Sequence, residues 1–593
     1  MWSGGGLADR LRSRLAVLYG PMGAAVAERV IQLVERYARR IRPRRKTVWD
    51  ERDIILITYG DQIQDGKRPT LEVLEEFLCS QGLVGLIQIL HILPFFPYSS
   101  DDGFSVIDYR QVRPELGTWE HIRRLGERFD LMIDLVLNHV SRKSEYFQRY
   151  LAREEPFVRF FIEAHPDPAL VHVVRPRASP LLTPVETKAG RRYVWTTFSE
   201  DQIDWNYAEP QVLLEMLDIL LFYVEQGARI IRLDAIAYLW KQIGTPCIHL
   251  PETHEVVKLF RDILDTVAPG TLLLTETNVP HIENVSYFGQ GDEAHLVYQF
   301  PLPPLLLEAF LSGRGDCLSS YLQTAGTTPV GTTVVNFTAS HDGIGVRGLE
   351  DLLPEERIQF LLDAVVARGG LISRRMASDG SQVPYELNIT YYSALADPEQ
   401  PDSPDHVRRF LASQAFMLAL RGIPAVYFHS LVATPNDHDG VKRTGHNRSI
   451  NRRKFQLGEL TKLLQDDGVP ASVFRAYRRL IEIRISQPAF HPEAPQQVLP
   501  TGSTSLVAIE RQSFDRAQQV LVILNVGRES VRVPEHLLRG RRVVRDLLAP
   551  LPELAILREP NSLSGDETQV PLSDQPNGAV IPAGGILWWE IEG

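Results

Sequence analysis

Eight short apolar runs, most of them separated by longer amphipathic ones, constrain this chain more than any other feature. They lie at 53–59, 85–93, 130–137, 228–234, 271–276, 294–300, 332–340 and 424–429. All are rich in Val, Ile and Leu, and none alternates cleanly with polar residues, as expected of strands buried on both faces. Helical patterns at 71–80, 117–129, 210–226, 252–267, 303–312 and 404–421 fall between them. Eight strands with intervening helices predict an α/β fold, a (β/α)8 TIM barrel rather than an open doubly wound sheet.

The rest of the chain is read as additions to that barrel. Residues 7–42 carry a helical stripe, Leu7, Leu11, Leu15 and Leu18, then Val26, Val30, Leu33, Val34 and Tyr37, broken at Gly20-Pro21. This extension is expected to pack on the main body, with a dimer contact as the alternative. Two connections, about 140–208 and 343–400, are far longer than barrel loops normally run, which marks lids or small subdomains. Past 490 the pattern changes to alternating strands, TSLVAIER, QVLVILNV and GILWWEIE, as in a separate antiparallel β domain. The expected organisation is therefore an extension at 1–49, a barrel at 50–136, 209–342 and 397–486, insertions at 137–208 and 343–396, and a terminal domain at 487–593.

A formal charge of −11 over 593 residues argues against nucleic acid as a partner and gives no attraction to acidic membranes. The basic run Arg39, Arg40, Arg42, Arg44, Arg45 and Lys46 reads as a solvated helix end and linker. Cys79, Cys247 and Cys317 are few, scattered and odd in number, so no disulfide framework is expected and a cytoplasmic setting is the default. No apolar run reaches membrane-spanning length, and the N-terminus has no signal-peptide core. Small molecules are the expected partners, in a monomer or homodimer.

Three of the apolar runs end in acid. ARIIRLD ends at Asp234, TLLLTE at Glu276, and TTVVNFTASHD at Asp342. A carboxylate at the end of a buried strand is costly unless it does chemistry, and the ends of barrel strands converge on one face. Glycosyl transfer with retention needs one carboxylate to attack the anomeric carbon and one carboxylic acid to protonate the leaving group. A third can hold ring hydroxyls as positive charge develops. Asp234 fits the nucleophile, Glu276 the acid/base and Asp342 the stabiliser. Arg232, two residues before Asp234 on the same strand face, would keep it ionised. Glu276 follows Leu272, Leu273 and Leu274, so desolvation could hold it protonated near neutral pH.

RLDAIAY, TLLLTETN, NFTASHDGIGV and DLVLNH (134–139) resemble the four signature regions of the α-amylase superfamily, glycoside hydrolase family thirteen. LITYGDQI, HILPFFPYSSDDGFSVIDY, HDGIGV, ITYYSAL and NRSINRRKF are similar to its sucrose-phosphorylase subfamily, over roughly 50–485. The resemblance implies inserted B and B′ subdomains, a C-terminal β domain, and no metal or organic cofactor. It gives Asp234, Glu276 and Asp342 the roles above. His139 and His341 would bind glucosyl hydroxyls, and Asp101 and Arg448 would pair at the closed end of a one-sugar pocket. Phe104 and Phe198 would form the apolar platform for the sugar, with Tyr238 and Gln202 near the acceptor. Arg177 and Tyr385 would receive phosphate. Asn138 stands where amylases bind calcium, but one amide without a carboxylate cluster makes a poor calcium site, so no metal is expected.

Several positions depart from sucrose phosphorylase. Ala-Ser-Pro-Leu-Leu follows Arg-Pro-Arg, Glu386 follows the loop tyrosine, and the second insertion reads GGLISRRMASDGSQVPYELN. Arg374 and Arg375, with Ser373, Ser378 and Ser381, make that loop cationic and hydroxyl-rich, and guanidinium forks suit carboxylate or phosphate better than neutral fructose. The loop and the N-terminal extension resemble the glucosylglycerate phosphorylases of the same subfamily. The resemblance implies a retaining phosphorylase whose acceptor is D-glycerate. Alternatives are a phosphorylase of sucrose, sucrose 6′-phosphate or glucosylglycerol, or a plain α-glucoside hydrolase.

Overall fold

The structure, a computed structural model, describes residues 5–41, 48–177, 179–376, 381–555, 557–558 and 578–593. Arg42, Arg44, Arg45, Lys46 and Ser378 lie outside the described residues. Every one of the eight apolar runs forms a strand: β1 Ile55–Thr58, β2 Ile89–Ile92, β3 Asp130–Val136, β4 Ala228–Asp234, β5 Leu272–Thr275, β6 Leu296–Tyr298, β7 Thr333–Phe337 and β8 Ile423–Tyr427. They close as a parallel barrel, each strand beside its sequence neighbour and β8 beside β1. The lack of polar alternation has a simple cause. Helices cover the outside and side chains fill the inside, so the strands are buried almost throughout.

The six expected helices form within a few residues of their sequence patterns, for example Pro210–Glu225 and Pro251–Val267. Further helices that the apolar patterning does not announce include Glu355–Ala367 and Val469–Arg484. Only Leu361, Leu362 and Val365 of the first are buried, too few to write a stripe.

The N-terminal stripe divides into α1 Gly5–Tyr19 and α2 Gly23–Ala38, folded back on each other through a turn at Gly20–Met22. Gly23 makes this possible: a Cβ there would stand 2.5 Å from the carbonyl oxygen of Leu15. The pair lies on the barrel, as the stripe implied. Leu11, Leu15, Ala27 and Val30 are fully buried. Arg14 bridges Asp262 (2.6 Å) and Glu255 (3.1 Å) of the Pro251–Val267 helix. Arg40, from the basic run, pairs with Glu225 at 3.1 Å.

Between β3 and β4 lie two short antiparallel pairs, one joining His139–Ser141 to Gln202–Asp204. After β7, Ile344–Gly345 and Leu371–Met376 flank the strand Gln382–Asn388 in a three-stranded sheet. Both insertions rise from the C-terminal ends of barrel strands, so they wall the face where the acidic residues emerge. Beyond the barrel, five antiparallel strands from Gln496–Leu499 to Ile586–Glu592 form the terminal sheet. Adjacent Trp588 and Trp589 point to opposite faces: Trp588 packs on Phe490, and Trp589 joins the sheet's other core. Among the described residues no helix is long and apolar enough to cross a membrane.

Candidate active site

Asp234, Glu276 and Asp342 line one cavity at the C-terminal ends of the strands. Strand register explains how the first is held. Asp134 on β3 stands directly opposite Arg232 on β4, and one guanidinium nitrogen donates to both Asp134 (2.6 Å) and Asp234 (2.9 Å). Asp134 also takes His91 Nε2 at 2.6 Å, so the arginine is clamped from beneath. Neither Asp134 nor His91 was assigned a role from sequence, although both lie in runs that carried the resemblance. At Ala235 the chain turns into the left-handed region (φ 52°), which is uncommon for a residue with a Cβ. That turn aims the Ala235 N–H at Glu276, whose Oε2 accepts it at 3.0 Å.

The three carboxyls sit in different fields. Burial pushes Glu276 up to about 7, with Asp234 and Asp342 reinforcing the shift and Arg232 opposing it. Burial also raises Asp234; Arg232 opposes this and Asp134 adds to it. Asp342 is held below the usual range, because Arg448, His341 and Arg452 outweigh its burial. Burial thus favours a proton on this pair of carboxyls. The direct contact of Arg232 with Asp234 favours that proton on Glu276.

Asp342 Oδ1 accepts from Arg448 Nη1 at 2.6 Å. The same guanidinium grips Glu386 with two nitrogens, but stands 3.9 Å from Asp101. The expected Asp101–Arg448 pair is thus present but long, and the closer partners of Arg448 are Asp342 and Glu386. Glu386 lines the cavity beside Tyr385 and is held there by that arginine. Arg452 completes the wall by binding Asp102 (2.6 Å) and the carbonyl of His341 (2.7 Å). Asp101 and Asp102 both have positive φ, 54° and 46°. This end of the cavity is shut by ion pairs on strained backbone.

Phe104 lies flat on His341, ring centres 4.9 Å apart, and both line the cavity. His341 is pushed well below its usual range by burial, hence neutral. His139, also neutral through burial, donates from Nε2 to the Phe104 carbonyl (2.8 Å) and accepts the Asn138 amide at Nδ1 (3.3 Å). Gln202 donates to the same carbonyl at 3.2 Å and lines the cavity with Phe198. Asn138 Oδ1 accepts from the buried Lys241 ammonium (2.7 Å), which also pairs with Asp204 (2.7 Å). Among the described residues no group of three or more His, Cys, Asp or Glu is placed to hold a metal.

On the open side, Arg177 and Tyr385 line the cavity together, the guanidinium 5.6 Å from the ring centre. Tyr238 does not line it; its ring packs edge-on behind Phe198. The arginine loop also departs from expectation. Arg374 faces outward and donates to the Gln382 carbonyl, and Arg375 pairs with Glu350 at 3.1 Å. Neither lines the cavity. Their partners, the Gln382 carbonyl and Glu350, occupy them outside the cavity, and the register between Ser373 and Arg374 is irregular, which sequence spacing does not reveal.

The α-amylase catalytic domain matches residues 84–326. A glucosylglycerate phosphorylase from Spirochaeta thermophila is 46% identical over 590 residues, covering 98% of each chain. The chain belongs to the α-amylase superfamily, in the family of the glucosylglycerate phosphorylases. A second member of that family, from Escherichia coli, is 43% identical over 89% of this chain and 94% of its own. Among solved structures of the superfamily, sucrose 6F-phosphate phosphorylase from Thermoanaerobacter thermosaccharolyticum superposes with a TM-score of 0.70. It shares 27% identity and covers 80% of this chain and 94% of that one.

Proposed function

We propose that this enzyme is a retaining glycoside phosphorylase that converts glucosylglycerate and phosphate reversibly into α-glucose 1-phosphate and D-glycerate. The observation that carries the reading is the end-to-end identity of 46% with a protein of that name. A pocket closed at one end, with three carboxyls around its floor, supports it.

Chemically, an Asp234 oxygen attacks the anomeric carbon while Glu276 gives its proton to the departing glycerate oxygen. The glucosyl group is then held as an ester of Asp234, and Glu276 is an anion. Phosphate enters where glycerate left, loses a proton to Glu276, and displaces Asp234 from the same face. Two inversions restore the α configuration. Asp342, fixed by Arg448, accepts ring hydroxyls whose hydrogen bonds strengthen as charge builds. Phe104 and Phe198 supply the sugar platform. The Arg448–Glu386 wall leaves no path for a longer glycan, and Arg177 beside Tyr385 meets the incoming phosphate. The setting is cytoplasmic and the partners are small molecules.

The test is release of α-glucose 1-phosphate from glucosylglycerate, sucrose and glucosylglycerol, each with and without phosphate. Phosphate-dependent release, fastest from glucosylglycerate, is the expected result. Glucose release indifferent to phosphate would overturn the phosphorylase reading, and equal turnover of sucrose would overturn the glycerate assignment.

A further inference from the structure

We propose that Asp201 is a positioning residue of the glucosyl pocket. Placed outside the cavity itself, it gathers serine hydroxyls of the loop at 99–105 and so fixes Asp101 and Phe104 where they face the sugar. This rests on the glucosyl-transfer reading above and adds a residue to it.

The loop needs holding. Asp101, Asp102 and Gly103 have positive φ in succession, 54°, 46° and 115°. Gly103 admits no side chain, since a Cβ there would stand 2.6 Å from the Pro94 carbonyl oxygen. Residues with a Cβ enter this region rarely and stay there only when their surroundings over-determine them. The groups that face the sugar depend on that backbone. Asp101 and Phe104 line the cavity, and the Phe104 carbonyl receives both His139 and Gln202. Arg452 ties down one point of the loop, through Asp102.

Asp201 supplies the rest. Its Oδ2 accepts the hydroxyls of Ser99, Ser100 (2.5 Å) and Ser105 (2.8 Å), so both sides of the strained turn converge on a single atom. The Ser99 N–H donates to the Ser105 carbonyl at 3.0 Å and closes the neck of the loop. Asp201 is itself anchored: its carbonyl accepts the Arg142 N–H at 2.8 Å, at the end of the ladder where Ser141 faces Gln202. Gln202, the next residue, donates to the Phe104 carbonyl (3.2 Å) and to Asp101 (3.3 Å). Asp201 thus joins the first insertion to the loop after β2, the two segments that supply Phe198 and Phe104 to the cavity. Asp102, Asp342 and Glu386 in the same wall bind arginines, whereas Asp201 forms no ion pair among the described residues. Its charge is spent on hydroxyls. An ionised acceptor holds them about twice as strongly as a neutral one, so an amide in its place holds the loop less well and a methyl group not at all.

The test measures kcat/KM for phosphorolysis of glucosylglycerate and for fluoride release from α-glucosyl fluoride, in the full-length enzyme and well below the Tm of each variant. D201A is expected to lower both by a similar factor, on the order of 10- to 100-fold, because a shift of about 1 Å in the groups that fix the sugar suffices. D201N should fall between D201A and the wild type, and S100A/S105A, which removes two of the hydroxyls, should reproduce part of the loss. Added to D201A, S100A/S105A should cost less than about twofold more, because both changes break one contact. Preference for glycerate over glycerol should move less than about twofold, since a loss on the glucosyl side cancels in that ratio. Wild-type kcat/KM in D201A, whatever its Tm, overturns the inference, as does a loss confined to one substrate or fully additive losses. Should D201A not fold, D201N and S100A/S105A decide by the same readings. A wild-type enzyme inert toward glucosylglycerate but active on the fluoride overturns the phosphorylase reading and leaves this test to be read on the fluoride.

Discussion

Replacing Glu276 with Gln separates catalysis from stability in a way that few other roles for this residue would allow. Gln keeps the volume and an oxygen for the Ala235 N–H, and removes only the proton and the charge. Burial raises the Glu276 carboxyl from 4.5 to about 7, so the folded protein binds that proton more tightly than the unfolded chain does. The associated stability is complete below about 4.5, shrinks as pH rises, and is gone above about 7. At about 1.4 kcal/mol per pH unit the limit is about 3 kcal/mol, and opening of the carboxyl to the cavity lowers this to about 2 kcal/mol. E276Q should therefore match the wild type in thermal unfolding at pH 4 and exceed it by a few degrees at pH 8. Phosphorolysis of glucosylglycerate should fall about 10²- to 10⁴-fold, whereas first-turnover release of fluoride from α-glucosyl fluoride, a step that needs no proton, should lose far less. In the wild type, turnover of glucosylglycerate should decline above about 7 as the acid loses its proton. Equal losses with both substrates, or a variant less stable at pH 8, would refute the acid/base role and the burial argument behind it.

Other outcomes follow from the same geometry. D234N should lose turnover by about 10⁴-fold or more without a large drop in Tm, measured by steady-state kinetics and calorimetry, because its charge rather than its volume is used. R448M leaves Asp342 and the buried Glu386 without their counter-charge and should cost about 3–5 kcal/mol in denaturant unfolding. L15A empties a fully buried position on the first N-terminal helix and should cost about 2–5 kcal/mol by the same measurement. R374A, which alters an outward-facing side chain, should shift the glycerate-to-glycerol preference less than about twofold.

The barrel was legible because its strands are buried on both faces, which writes unbroken apolar runs into the sequence. The acidic residues at three strand ends were legible for the same reason, since charge stands out against such runs. Helices with few buried residues, such as Glu355–Ala367, left no stripe to read. The walls of the site were harder. Asp134 and His91 look like ordinary strand residues until the register sets Asp134 opposite Arg232. Arg448 could be placed near the sugar, but not its choice of Asp342 and Glu386 over Asp101, which depends on how two loops approach. Arg374 and Arg375 attract attention as a charged pair, yet neither lines the cavity and both bond to groups of their own surroundings.

The central claim is that a glucosyl group is held on Asp234 between two displacements. The most direct measurement is mass spectrometry of peptides from enzyme quenched while turning over α-glucosyl fluoride without acceptor. The expected result is one glucosyl unit on the peptide containing Asp234, discharged on adding phosphate to give α-glucose 1-phosphate. A label on another carboxylate, or none together with β-configured product, would contradict it.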